Sequence, residues 1–180
     1  MRRVWGILAC VAVLGLSACS TSSPASKASP ADLYDRLLST SIPRSSLPPK
    51  VQFVGTEAVE NVSGAIGLVR VQFHDADAAV TDTLDYVVYS SDSEARNAYL
   101  LGKPVPDSAI LVAPSGLTGE AYCESPENSP ALCTVRDGSV VVEASSIIFT
   151  NNPGSSYMGL VDRAESLAIA AELHLHALGG

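Results

Sequence analysis

The sequence predicts a single α+β domain: an antiparallel sheet built from hairpins, helices packed on one face, and a long C-terminal helix. Three observations carry this. Apolar residues alternate with polar ones at Val69, Val71 and Phe73 and again at Leu84, Tyr86 and Val88, the period of strands with one buried face. Asp137-Gly138 separates two strand-like runs in the manner of a tight hairpin. The last stretch places Leu160, Ala164, Leu167, Ala168, Ala171, Leu175 and Leu178 at helical spacing from about Ser156 to Leu178.

Taken in order, residues 1–18 have the layout of an export signal: Arg2 and Arg3, an uncharged run from Val4 to Leu16, then small residues. A membrane-spanning helix needs about 20 apolar residues, and this run is followed at once by Ser20-Thr21-Ser22-Ser23-Pro24. Leu16-Ser17-Ala18-Cys19 resembles the lipobox of bacterial lipoproteins. The resemblance implies that Cys19 receives a diacylglyceryl group and becomes the mature N-terminus, so that the membrane is reached through lipid at Cys19. A plain secretory signal is the alternative, but it gives no reason for a cysteine directly after the small residues.

Residues 19–49 read as a Ser/Pro-rich tether with one short helix, Pro30 to Ser39, opened by Ser29 as N-cap and Pro30 at the first helical position. Leu47-Pro48-Pro49 leads extended backbone into a globular domain over 50–180. There, His74-Asp75-Ala76-Asp77 closes the first strand. Ser91 and Glu94 form a capping box for a helix whose inner face is Ala95, Ala98 and Tyr99 and which Gly102 and Pro104 stop. The apolar stretch Ile110 to Ala113 is broken by Pro114-Ser115-Gly116. With Asp137-Gly138 as a type I′ pair, Val135 faces Val140 and Cys133 faces Val142, so Cys133, Val135, Val140 and Val142 share one face. A Gly/Asn/Pro loop at Asn151 to Gly154 precedes the final helix. The two halves share a strands-then-helix outline without sharing residues, which leaves an internal duplication open.

The chain has 180 residues, 47% hydrophobic, with a formal charge of −8. Without residues 1–18 it keeps 9 basic and 19 acidic residues, a charge of −10, which disfavours nucleic acid as a partner. Cys10 falls in the signal and Cys19 at the lipobox. Cys123 and Cys133 are then the thiols left in the domain, and a structural disulfide is expected between them; a metal site or redox pair lacks both a C-x-x-C and a nearby histidine.

Chemistry is sparse, and no cofactor, metal or catalytic residue is expected. His174 and His176, two apart on a helix, point about 200° away from each other and read as a solvated helix end. His74 with Asp75 and Asp77 reads either as a small cation site or as a polar turn. No Gly-x-Ser-x-Gly or phosphate-binding glycine loop is present, and the Asn61-Val62-Ser63 sequon carries no meaning in a bacterial chain. Ile169 and Leu173 project opposite the main helical stripe, and read as ordinary surface residues, as a helix face covered by the N-terminal segment, or as an apolar patch for a partner or a ligand.

Leu16-Ser17-Ala18-Cys19, the Ser/Pro leash, Leu47-Pro48-Pro49, Cys133-Thr134-Val135-Arg136 running into Val140-Val141-Val142, and the closing Ala/Leu-rich helix together resemble small cell-envelope lipoproteins of actinobacteria, mycobacteria in particular. The closing strand and helix are also similar to extracellular sensor domains of mycobacterial receptor kinases. The resemblance implies a lipid-anchored protein at the outer face of the cell membrane. The expected role is a non-enzymatic ligand-binding or accessory module meeting an envelope protein or a hydrophobic small ligand. The alternatives are an envelope hydrolase using carboxylates among Asp75, Asp77, Asp82 and Asp85, for which a pair about 5–10 Å apart in a cleft would speak, and a structural spacer.

Overall fold

The computed structural model describes residues 27–75, 80–104, 111–112, 114–124, 130–148 and 157–180. Seven strands form one antiparallel sheet: β1 (Gln52–Val59), β2 (Gly67–Asp75), β3 (Val80–Val88), β4 (Leu111–Val112), β5 (Glu120–Glu124), β6 (Ala131–Asp137) and β7 (Val140–Ile148), in the order β1-β2-β3-β7-β6-β5-β4. Three helices accompany them: α1 (Pro30–Ser39), α2 (Asp92–Gly102) and α3 (Tyr157–Leu178). The α+β class read from the sequence is what the chain adopts.

The period-2 pattern becomes buried rows across the sheet. Val71 faces Leu84, Leu84 faces Ala144, Ala144 faces Cys133 and Cys133 faces Cys123. Tyr86, Val142 and Val135 form the next row. The Cys123–Cys133 disulfide closes directly across β5 and β6, with the Cα atoms 4.1 Å apart, on the core side.

The β6–β7 hairpin differs from its expected register. Asp137 pairs with Val140 and Val135 with Val142, so the turn pair is Gly138-Ser139 rather than Asp137-Gly138. Gly138 has φ +54 and Ser139 does not share the positive sign, the pattern of a type II′ turn, which favours glycine in the first central position. The slip is two residues in sum, an even number. Cys133, Val135, Val140 and Val142 therefore still share the buried face.

The helices do not all lie on one face. α1 and α3 cover the face carrying Val69, Leu84, Val142 and Cys133. α2, capped by Ser91, which accepts from the Glu94 N–H at 3.3 Å, packs Ala95 and Tyr99 on Tyr122 and Val141 of the other face. With the two-residue β4 left aside, three strands stand on each side of the β3–β7 junction in mirrored sequence order. A two-fold axis normal to the sheet would place the helices that follow β3 and β7 on the same face, so an internal duplication accounts for the strands and not for the helices.

α1 corrects the expected tether. Leu33 and Leu37, one turn apart, are 3% and 2% exposed, and Ile42 and Val51 are also buried in the main core. Residues 30–51 thus belong to the domain, whereas residues 19–26 lie outside the described residues, as do the signal segment, Cys19 and the 151–154 loop. Arg36 Nη1 donates to the Leu178 carbonyl at 2.7 Å, a cation placed on the C-terminus of α3. That terminus is a Schellman motif. Gly179 at φ +88 donates to His176 O, and Gly180 donates to Leu175 O.

Because α1 is part of the core, Leu37→Ala should lower unfolding stability by about 2–5 kcal/mol, measured by urea denaturation; a detachable leash would leave the midpoint unchanged.

Candidate functional site

The ends of the described chain meet. The Ala28 N–H donates to Gly179 O at 3.1 Å, and beside this contact lies a cavity of about 410 Å³ lined by Lys27, Ala28, Asp92, Asp137, Ser139 and Gly180 among others. Its volume is in the range of small-ligand sites. The walls come from the chain before α1, the β6–β7 turn, the start of α2 and the end of α3. The acids in the wall are already engaged. Arg136 Nη1 binds Asp92 Oδ1 at 2.5 Å while its Nε binds Glu120 at 2.9 Å, and His176 Nε2 lies 2.6 Å from Asp137 Oδ2. Glu172, one turn before His176 on α3, lies close enough that donor atoms of Asp137, Glu172 and His176 are all within 4.8 Å of one another.

Two acids of α3 hold the segment that enters β5. Glu165 accepts from the N–H and hydroxyl of Ser115. Glu172, 3% exposed, accepts from the Thr118 hydroxyl at 2.9 Å and the N–H groups of Thr118 at 3.0 Å and Gly119 at 2.6 Å. Seven residues separate the two glutamates, which puts them on one side of the helix two turns apart.

Of the carboxylates considered for hydrolysis, Asp75, Asp82 and Asp85 lie elsewhere and are ion-paired. Asp82 is fully buried in β3, where Arg163 of α3 grips it through Nε at 2.8 Å and Nη2 at 2.6 Å and Ser146 Oγ donates at 2.7 Å. Asp75, also buried, takes Arg163 Nη1 at 3.0 Å. Burial would lower the Arg163 pKa, but the hydrogen bonds and charges of Asp82 and Asp75 outweigh it and raise it. Asp85 is on the opposite face, held by Arg70 through two bonds of 2.8 and 2.7 Å, and Asp77 lies outside the described residues. The structure therefore does not assemble Asp75, Asp82 and Asp85 in one cleft.

His74 is exposed while Asp75 is buried, because adjacent strand residues point to opposite faces, so the two do not converge on a cation. His174 overturns the reading of a solvated helix end: it is 5% exposed and edge-on to Tyr86, with ring centroids 6.5 Å apart. α3 is covered from both sides at this level, which sequence periodicity alone does not reveal. His176 is exposed, as expected. The apolar patch is reduced as well, since Ile169 is half-buried beside Gly116 and Leu173 remains 57% exposed.

No protein-family model matches the chain, and no curated protein matches it at a significant level. Among the described residues, no helix is long and apolar enough to cross a membrane.

Two outcomes follow. Arg163→Met strands the Asp82 and Asp75 carboxylates without their cation and should cost about 3–5 kcal/mol in denaturant unfolding. Burial lowers the His174 pKa below its ordinary 6.5, against the opposing effect of a hydrogen bond to the Thr40 backbone. The unfolded chain then binds the proton first, so stability falls as pH drops below about 6.5 and is regained above it. His174→Leu should flatten that part of the pH–stability curve, and an unchanged slope would show that another group titrates there.

Proposed function

We propose that the chain is an extracytoplasmic lipoprotein, attached to the membrane through Cys19, whose domain acts as a non-enzymatic binding or accessory module of the cell envelope. The observation that carries the binding role is the cavity at the meeting of the chain ends. Its lining begins at Lys27, eight residues after Cys19. Even fully extended, that interval reaches at most about 30 Å. An anchored Cys19 would thus hold the cavity close to the bilayer surface, where a headgroup-sized ligand or the exposed end of an envelope partner is at high local concentration.

Two further features support the reading. The Cys123–Cys133 disulfide suits an oxidising compartment. Asp82 and Asp75 share the Arg163 guanidinium, and Asp85 is paired with Arg70, a use of these carboxylates in holding the fold rather than in the acid and base roles a hydrolase needs. The spacer alternative gives no reason for a formed cavity.

Mass spectrometry of the full chain, recovered from the membrane fraction of a bacterial host that processes lipoproteins, should find a lipid-modified Cys19 at the N-terminus. Cys19→Ala should remove the lipid mass and shift the protein to the soluble fraction or leave it unprocessed. An unmodified N-terminus beyond Cys19 would overturn the anchor.

A further inference from the structure

We propose that Asp137, Glu172 and His176 form a binding site for a divalent first-row transition metal, with zinc the best match to their donor atoms. Zinc binds imidazole nitrogen and carboxylate oxygen at about 2.0–2.2 Å, and three protein ligands with one open position is its common arrangement at exposed sites. Here one imidazole and two carboxylates present donor atoms within 4.8 Å of one another.

The placement of the ligands favours this. Glu172 and His176 stand four apart on α3, so they lie one above the other on the same side of the helix. Asp137 is the last residue of β6, held by its ladder pairing with Val140. Two regular elements thus supply the donors, rather than mobile loops. Glu172 is further oriented by the amides of Thr118 and Gly119 and by the Thr118 hydroxyl, the kind of outer support that ligating carboxylates receive in metal sites.

Electrostatics points the same way. A carboxylate 3% exposed has a second carboxylate oxygen within 4.8 Å, and two like charges at that distance repel. A dication relieves that repulsion. Access is open as well, because His176 is exposed and Asp137 lines the 410 Å³ cavity, leaving room for water or a ligand atom in the fourth position. His174 is turned away towards Tyr86 and is not part of the set. The proposal deepens the binding role argued above, and its test uses metal alone, so that either can fail without the other.

The full-length protein, stripped with chelator and dialysed, is titrated with Zn²⁺ by calorimetry and with Co²⁺ by visible absorption. One saturable ion per chain is expected, with a Co²⁺ spectrum of low coordination number. Asp137→Asn and His176→Gln should each weaken apparent affinity at least tenfold, and His74→Gln should leave it unchanged. Both test variants alter partly exposed side chains, which keeps the outcome independent of Glu172→Gln, whose effect on the Thr118–Gly119 segment could unfold the chain. Absence of saturable uptake, as for a His–Asp hydrogen bond only, would overturn the proposal, and so would wild-type affinity in both variants or loss of binding in His74→Gln.

Discussion

The position of α3 on the sheet depends on one contact, the grip of Arg163 on Asp82. A purely apolar helix face is placed by shape and volume alone, which several apolar side chains can satisfy. A carboxylate with no solvent exposure in a central strand is more exacting, since its charge is uncompensated wherever the guanidinium is not. Once Arg163 is fixed, the rest of α3 follows at 1.5 Å per residue. Glu165 arrives over Ser115, Glu172 over Thr118 and Gly119, His174 against Tyr86, and His176 beside Asp137. The cavity wall at Gly179 and Gly180 inherits its place from the same anchor.

This arrangement explains which parts were legible in the sequence. Strand periodicity gave the buried faces of β2 and β3, and the Ser91–Glu94 box gave the start of α2, because both signals are local. The hairpin face was correct although its turn pair was not. Only parity decides which side chains go inwards, and the shift from Asp137-Gly138 to Gly138-Ser139 preserves it. The Cys123–Cys133 pairing is legible by count, since these are the two cysteines beyond residue 19.

What the sequence hides is non-local. α1 reads as a helix of the tether, since its surroundings are rich in Ser and Pro; the signal against this is the i, i+4 pair Leu33 and Leu37. Asp82 occupies an inward position between Val80 and Leu84, and an acid in a buried register is itself evidence of a distant cation. Nothing nearby in sequence names Arg163, 81 residues away. His174 likewise becomes buried only when α1, β3 and α3 come together. Glu172 and His176 show ligand spacing on their own, but Asp137 joins them only through the hairpin.

The two margins of the sheet are unlike. β4, at one end of the order, spans Leu111–Val112 among the described residues. β1, at the other end, is eight residues long with six of them exposed, and its pairing with β2 slips between Phe53 and Gly55, where Val54 is the extra residue of a bulge. A strand approaching β1 from outside would meet amide spacings that fall out of phase at Val54, the third residue of β1. The sheet thus has a built-in stop to growth at its β1 margin, where the rhythm of the edge amides is broken.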